Sequence, residues 1–286
     1  MFSTACLPAS AAEKRTLGDR LALFPLQDND WKADLKDLAP ELQADIQEVA
    51  IPGPHGNILD GLLMKKPGAK YIYMISHGNG GNMGDQLHFA SNILATGQSA
   101  FLYDYEGYGD SRGIAKLANL VPDGCSAFDY LTNQAGYKAE QVILYGESIG
   151  TGPTAAIMHQ RKPRAVILQS GFTSLLTAGR EKLLIVKMWP KWLIREPVFD
   201  NLAEVKQAHP PLMFIHGDSD KVLSVNYSRT MFAEAAEPKR YYEVKGAGHN
   251  NITSVASEGF RSALINFVDS FEVEKTAINT TEISRN

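Results

Sequence analysis

The chain has 286 residues, of which 44% are hydrophobic and 21% are charged, and its formal net charge at pH 7 is -4. This apolar share can build one large buried core, and the length fits a single α/β domain. The negative balance and the lack of a basic patch with interleaved aromatic residues argue against a nucleic-acid-binding protein. A membrane-spanning protein is not expected either, because no segment reaches ~18 consecutive apolar residues.

The first 45 residues form an N-terminal segment that we predict to be partly irregular. Small residues precede Cys6 as they do at the end of a bacterial lipoprotein signal, but the charged start and the apolar stretch of such a signal are missing. The protein is therefore expected to be either cytoplasmic or an envelope protein anchored through Cys6. The second cysteine, Cys125, is predicted to be a small buried residue, and a disulfide between the two stays open.

Strand-like apolar runs alternate with helical stretches along most of the chain. This alternation predicts an α/β fold with a mostly parallel eight-stranded sheet flanked by helices on both faces. The predicted core comprises residues 46–171 and 207–272, and residues 273–286 are expected to be a polar, frayed tail. The strand-like runs begin near Glu48, Leu59, Tyr71, Ala100, Val142, Ala165, Leu212 and Arg240.

A glycine-rich loop follows the third strand-like run, starting after His77. Gly78, Gly80, Gly81 and Gly84 let the backbone fold closely over a neighbouring group and present a free N–H. A loop at this position commonly supplies one donor of an oxyanion hole. The alternative is a flexible turn without chemistry.

A serine stands between the fifth strand-like run and a stretch of small residues typical of a helix start. Gly146 and Gly150 flank Ser148 at a spacing of two residues on either side. Strand, tight turn and helix are the setting of a nucleophile elbow, which exposes the serine hydroxyl. Ser111 lies in the same glycine pattern, but in a turn-rich loop without a helix entry. Ser148 is therefore the preferred candidate nucleophile.

A nucleophilic serine needs a base and an acid, which follow it in the order serine, acid, histidine in this architecture. His249 lies in a glycine-rich loop between the last strand-like run and the final helix, where it can reach over the sheet edge. Asp220 comes shortly after the run that ends at His216, and we predict that it orients the base. Asp218 is the alternative acid, but its position favours a turn-forming role.

Five motifs together resemble the α/β-hydrolase superfamily, and most of all its branch of small esterases, lysophospholipases and thioesterases, which includes eukaryotic protein depalmitoylases. The resemblance extends over about residues 21–271 and implies Ser148, Asp220 and His249 as the triad. It also implies backbone N–H groups of Asn79 and Ile149 as oxyanion donors, with Gly78, Gly146 and Gly150 shaping loop and elbow. The motifs are residues 77–82, 103–109, 146–150, 216–220 and 248–249.

Residues 172–206 interrupt the alternation between the sixth and seventh strand-like runs, where the resemblance implies a small helical cap, or lid. Large apolar side chains alternate there with basic residues. This pattern suits an acyl chain and peripheral contact of the cap with a membrane surface. The alternative is that the apolar residues pack the cap onto the core. The candidates for the substrate pocket are Leu184, Met188, Trp189 and Trp192.

The sequence therefore predicts a serine hydrolase that cleaves ester or thioester bonds of small-molecule or lipid-like acyl substrates through an acyl-enzyme intermediate. An acyltransferase with the same mechanism and a non-catalytic ligand- or lipid-binding protein are the alternatives. We expect no metal and no cofactor, because the phosphate-binding and zinc-binding motifs are missing. A glycine pattern over residues 150–155 matches dinucleotide-binding folds but lacks the acidic residue expected ~20 positions later.

Overall fold

The computed structural model describes residues 14–35, 42–182 and 199–283. Its centre is one eight-stranded sheet, and the strands begin within a few residues of the predicted positions. Most of the strands are rich in the β-branched and aromatic residues that suit a buried pleated surface. The strands are β1 (Asp45–Pro52), β2 (Ile58–Lys65), β3 (Ile72–Ser76), β4 (Ser99–Tyr103), β5 (Val142–Glu147), β6 (Ala165–Gln169), β7 (Leu212–Gly217) and β8 (Lys239–Val244).

The strand order across the sheet is β8-β7-β6-β5-β3-β4-β2-β1. Five neighbouring pairs are parallel, and the two pairs that involve β2 are antiparallel. This arrangement confirms the predicted mostly parallel sheet of eight strands. Because the parallel strands all end at the same edge, the loops after β3, β5, β7 and β8 meet there.

Helices cover both faces of the sheet, and the alternation of side chains along each strand divides the core into two layers. The helices among the described residues are α1 (Leu17–Ala22), α2 (Leu87–Leu94), α3 (Leu120–Asn133), α4 (Thr151–Arg161), α5 (Leu175–Lys182), α6 (Asn201–Lys206), α7 (Val225–Glu234), α8 (Ile252–Val255) and α9 (Ser257–Ile283). In β3, Ile72 and Met74 pack on one side with α3, α4 and α7. Tyr73 and Ile75 pack on the other side with α2 and α9.

The C-terminal helix corrects one boundary of the prediction. The sequence suggests that residues 273–286 are a frayed tail, but α9 continues to Ile283. The segment after Phe271 contains no glycine or proline up to that residue, so nothing in its sequence ends the helix. None of the helices in the described part of the chain combines the length and the hydropathy that crossing a bilayer requires.

The predicted cap interval contains α5 and α6, which both lie within residues 172–206. Residues 183–198 between the two helices lie outside the described part of the chain. The cap therefore stays a prediction, as does the division of the chain into segments around it.

Candidate active site

Ser148 lies in the turn between β5 and α4, in a backbone conformation that side chains rarely adopt. Its φ is +54°, in the left-handed region. The turn is also tight: a Cβ on Gly150 would lie 2.1 Å from the carbonyl oxygen of Ser76, and a Cβ on Gly146 would lie 2.6 Å from that of Gly150. Only glycine fits at these two positions, which explains the spacing of the sequence motif.

Two side chains from distant loops meet Ser148 at the carboxyl edge of the sheet. Nε2 of His249 lies 2.9 Å from Oγ of Ser148, and Nδ1 of the same ring lies 2.6 Å from Oδ2 of Asp220. His249 comes from the loop after β8, and Asp220 comes from the loop after β7. Because a carboxylate only accepts hydrogen bonds, Nδ1 donates to Asp220 and Nε2 faces the serine hydroxyl as an acceptor.

The loop after β7 folds around the Asp220 carboxylate. Oδ1 accepts hydrogen bonds from the N–H groups of Val222 at 2.7 Å and Leu223 at 2.9 Å. Burial alone would raise the pKa of Asp220, but hydrogen bonds from His216, His249 and one backbone N–H outweigh it and hold the pKa well below its usual range. Asp220 is therefore charged at any ordinary pH.

Asp218, the alternative acid, lies away from the imidazole. Its Oδ1 accepts a hydrogen bond from the N–H of Gly246 at 2.7 Å and another from Oγ of Ser219 at 2.9 Å. The carboxylate thereby links the loop after β7 to the loop that carries His249. This contact agrees with the turn-forming role that the sequence favours for Asp218.

The glycine-rich loop after β3 lies beside the nucleophile. A Cβ on Gly78 would be 3.8 Å from Cβ of Ser148. The Gly78 carbonyl oxygen lies 2.9 Å from Nδ1 of His77. Since N–H and C=O point in opposite directions across a trans peptide, this contact directs the N–H of Asn79 away from the His77 ring. The second sequence-predicted donor, the N–H of Ile149, belongs to the turn that carries Ser148.

Contacts that sequence reasoning missed fix this loop from both sides. The Asn79 carbonyl oxygen accepts hydrogen bonds from the hydroxyl of Tyr108 at 2.9 Å and from the N–H of Phe24 at 2.8 Å. The N-terminal segment thus adds a short parallel bridge, Phe24–Pro25 to Gly80–Gly81. The His77 ring packs against Tyr105, with ring centroids 4.5 Å apart. In the sequence, only the aromatic residues of the 103–109 motif could have indicated these contacts.

Ser111, the competing serine, is buried and fully engaged. Its hydroxyl donates to the carbonyl oxygen of Asp104 at 2.7 Å and accepts from the N–H of Asp60 at 2.8 Å. The structure brings neither a histidine nor a free edge of the sheet to it among the residues it describes. Ser111 joins its own loop to strand β2, whereas Ser148, which the strand–turn–helix criterion selects, lies at the carboxyl edge of the sheet.

The pocket candidates Leu184, Met188, Trp189 and Trp192 lie outside the described residues. Cys6 does so as well, whereas Cys125 is buried in α3 with a free thiol. Across the described ranges, no group of three or more histidine, cysteine, aspartate or glutamate side chains is arranged to hold a metal ion. This part of the chain brings together a serine hydroxyl, an imidazole and a charged carboxylate in hydrogen-bonded sequence, an arrangement that nucleophilic catalysis requires.

Comparisons with known proteins find similar sequences over part of the chain. Residues 67–199 match the family model described as serine aminopeptidase, S33. The human alpha/beta hydrolase domain-containing protein 17B is 32% identical over 187 residues, which are 65% of this chain and 62% of that protein. An uncharacterized protein of Mycobacterium tuberculosis is 32% identical over 178 residues, or 62% of each chain. The chain thus matches less than two thirds of the length of these relatives.

Solved structures extend the likeness to nearly the whole fold. An esterase of Pyrococcus furiosus superposes with a TM-score of 0.71, covering 87% of this chain and 98% of that chain at 16% identity. The esterase domain of a Rhodothermus marinus protein gives a TM-score of 0.57, with 76% and 97% coverage and 16% identity. At these identities the likeness shows a shared fold and nothing about substrates.

Proposed function

The chain belongs to the α/β-hydrolase superfamily, and we propose that it is a serine hydrolase that cleaves carboxylic ester or thioester bonds. The observation that carries the proposal is the hydrogen-bond chain from Oγ of Ser148 through His249 to Asp220, with distances of 2.9 Å and 2.6 Å. A binding protein needs neither of these two contacts, nor a nucleophile in a left-handed turn. The arrangement therefore favours catalysis over mere binding.

The reaction proceeds in two acyl-transfer steps. His249 takes the hydroxyl proton as Ser148 attacks the substrate carbonyl carbon, and the backbone N–H groups of Asn79 and Ile149 stabilise the resulting oxyanion. His249 then gives the proton to the leaving alcohol or thiol, which departs and leaves an acyl-enzyme. Water then attacks the carbonyl carbon of the acyl-enzyme while His249 takes a proton from it. The acid is released when His249 returns this proton to Oγ of Ser148. Asp220 keeps the imidazole in the required tautomer and stabilises its charged form.

We further propose that the acyl group is a lipid-like chain. This part rests on the composition of residues 183–198, where large apolar side chains alternate with basic ones. Apolar side chains suit an acyl chain, and basic side chains favour an anionic headgroup or a membrane surface nearby. The partner is thus a small-molecule or lipid-like ester or thioester.

A chain-length series tests this function. We expect hydrolysis of p-nitrophenyl esters, with kcat/KM rising from acetate to octanoate and dodecanoate, and hydrolysis of an acyl thioester with the same chain. The Ser148→Ala variant is expected to lose at least about a thousandfold in kcat. Turnover of acetate far above the longer esters would refute the lipid-like preference. The matched control is Ser111→Ala, assayed once its unfolding midpoint has been shown to equal that of the wild type, because this serine joins its own loop to strand β2.

Further additions to the same assay separate the alternatives. An acyltransferase would form a new ester when an alcohol is added, in place of the free acid. A non-catalytic protein would bind the esters without releasing p-nitrophenol. An aminoacyl p-nitroanilide serves as the peptidase substrate, and a clear preference for it over every ester would contradict our proposal.

A further inference from the structure

His216 is a second histidine that contacts the acid of the candidate triad. It is the last residue but one of β7, four residues before Asp220, and its side chain is completely buried. Its Nε2 lies 3.2 Å from Oδ2 of Asp220 and 3.1 Å from the carbonyl oxygen of Leu223. Its Nδ1 lies 2.7 Å from Oγ of Ser228, in α7. The ring therefore connects the acid loop to a helix of the core.

The neighbours of His216 determine where its proton is. The carbonyl oxygen of Leu223 and the carboxylate of Asp220 can only accept hydrogen bonds, so Nε2 must carry a hydrogen. Nδ1 faces the hydroxyl of Ser228, which can donate to a neutral ring or accept from a charged one. In either form of the ring, the protonated Nε2 lies 3.2 Å from the same carboxylate oxygen that receives the Nδ1–H of His249.

We propose that His216 is a positioning residue, whose Nε2–H holds Oδ2 of Asp220 in the orientation that the base requires. The inference rests on the proposed function, because it assigns His216 a role in the same triad. Without this donor the carboxylate keeps its two backbone hydrogen bonds on Oδ1, but Oδ2 can turn away from His249. A displacement of about 1 Å at this point can cost about a hundredfold in rate.

The shared oxygen also balances charge between the two histidines. While His216 donates to Oδ2, part of the negative charge is compensated, so Asp220 favours a proton on His249 less strongly. Removing the donor should therefore keep His249 protonated, and unable to act as a base, up to a higher pH. Among the described residues, Glu147 interacts with His249 and Glu243 interacts with His216, and both carboxyl groups belong to other elements.

Two substitutions of similar size distinguish positioning from packing. In His216→Gln, the amide nitrogen reaches about as far as Nε2 and keeps a donor toward Asp220, whereas His216→Leu has none. We expect His216→Leu to slow fluorophosphonate labelling of Ser148 by about tenfold to a hundredfold. We also expect the acidic limb of its labelling rate between pH 5 and 9 to move to higher pH, while His216→Gln stays near the wild type. Ser228→Ala, which only removes the anchor of the ring, should give a smaller effect of the same sign.

A loss of packing alone would lower the rate equally at every pH, and the glutamine variant would then be as impaired as the leucine variant; this result would overturn the inference. Nitrogen-15 NMR of the histidine rings in the unliganded wild type gives a test without turnover. We expect a protonated Nε2 in His216, and an unprotonated Nε2 would equally overturn it. A wild type that is never labelled, yet shows this protonated Nε2, would instead refute the proposed function.

Discussion

The strained conformation of Ser148 should be measurable as stability that the fold gives up at its nucleophile. A side chain in the left-handed region costs about 1–2 kcal/mol, and the φ of Ser148 is +54°. Ser148→Ala removes the hydroxyl and keeps the Cβ, whereas Ser148→Gly removes both. Glycine also makes the unfolded chain more flexible, which offsets about 0.5–1 kcal/mol of the gain. The glycine variant should therefore be more stable than the alanine variant by about 0.5–1 kcal/mol.

Urea unfolding of the two variants measures this difference, which corresponds to about 1–4 °C in melting temperature for a domain of this size. Two further pairs of alanine and glycine variants serve as controls. Lys162 ends α4 with a φ of +50°, so glycine should again be the more stable choice. Ser254 is exposed in α8 with ordinary helical geometry, so glycine should be the less stable one. If glycine is less stable than alanine at position 148, as we expect at Ser254 and not at Lys162, then the elbow is not strained.

Two other substitutions probe the close packing around the site and a buried carboxyl group. Gly150→Ala should abolish or strongly destabilise the fold, because the new Cβ would lie 2.1 Å from the backbone oxygen of Ser76. In the control variant Gly80→Ala, the new Cβ meets no heavy atom within 4 Å, so its unfolding midpoint in urea should stay near that of the wild type. Equal midpoints for the two variants would contradict this reasoning. Burial raises the pKa of Asp123 from its ordinary 3.8 to about 8, so its neutral form stabilises the fold fully below about pH 4, and this stability is lost as the pH rises towards 8. Asp123→Asn stays neutral, so its unfolding free energy should gain on the wild type by about 1 kcal/mol per pH unit across that window, and parallel curves would count against a buried neutral Asp123.

Local sequence was sufficient for the elements and for the candidate triad. Apolar runs predicted the strands inside the sheet, because strands buried on both faces are almost continuously hydrophobic. The edge strands β1 and β8 are only partly buried and carry charged residues. The order Ser148, Asp220, His249 followed from the strand and loop pattern, since parallel strands bring their carboxyl ends to one edge. Gly146 is required by backbone contacts within the turn itself, whereas Gly150 makes room for the carbonyl oxygen of Ser76 at the end of β3.

Contacts between distant segments could not be predicted in this way. The bridge from Phe24 to the loop after β3 and the hydroxyl of Tyr108 on the Asn79 carbonyl join residues far apart in the chain, and nothing in either segment specifies the other. The second histidine on Asp220 was visible only as the end of a strand. The length of α9 was underestimated because its polar end resembles a tail, although it contains no residue that stops a helix.

The most direct test of the central claim is the mass of the intact protein after reaction with a fluorophosphonate, followed by identification of the modified peptide. We expect one adduct on the wild type, located on Ser148, and the same adduct on Ser111→Ala. Ser148→Ala should remain unmodified while retaining its fold. An adduct that survives in Ser148→Ala, or that disappears only in Ser111→Ala, would contradict the assignment of Ser148 as the nucleophile.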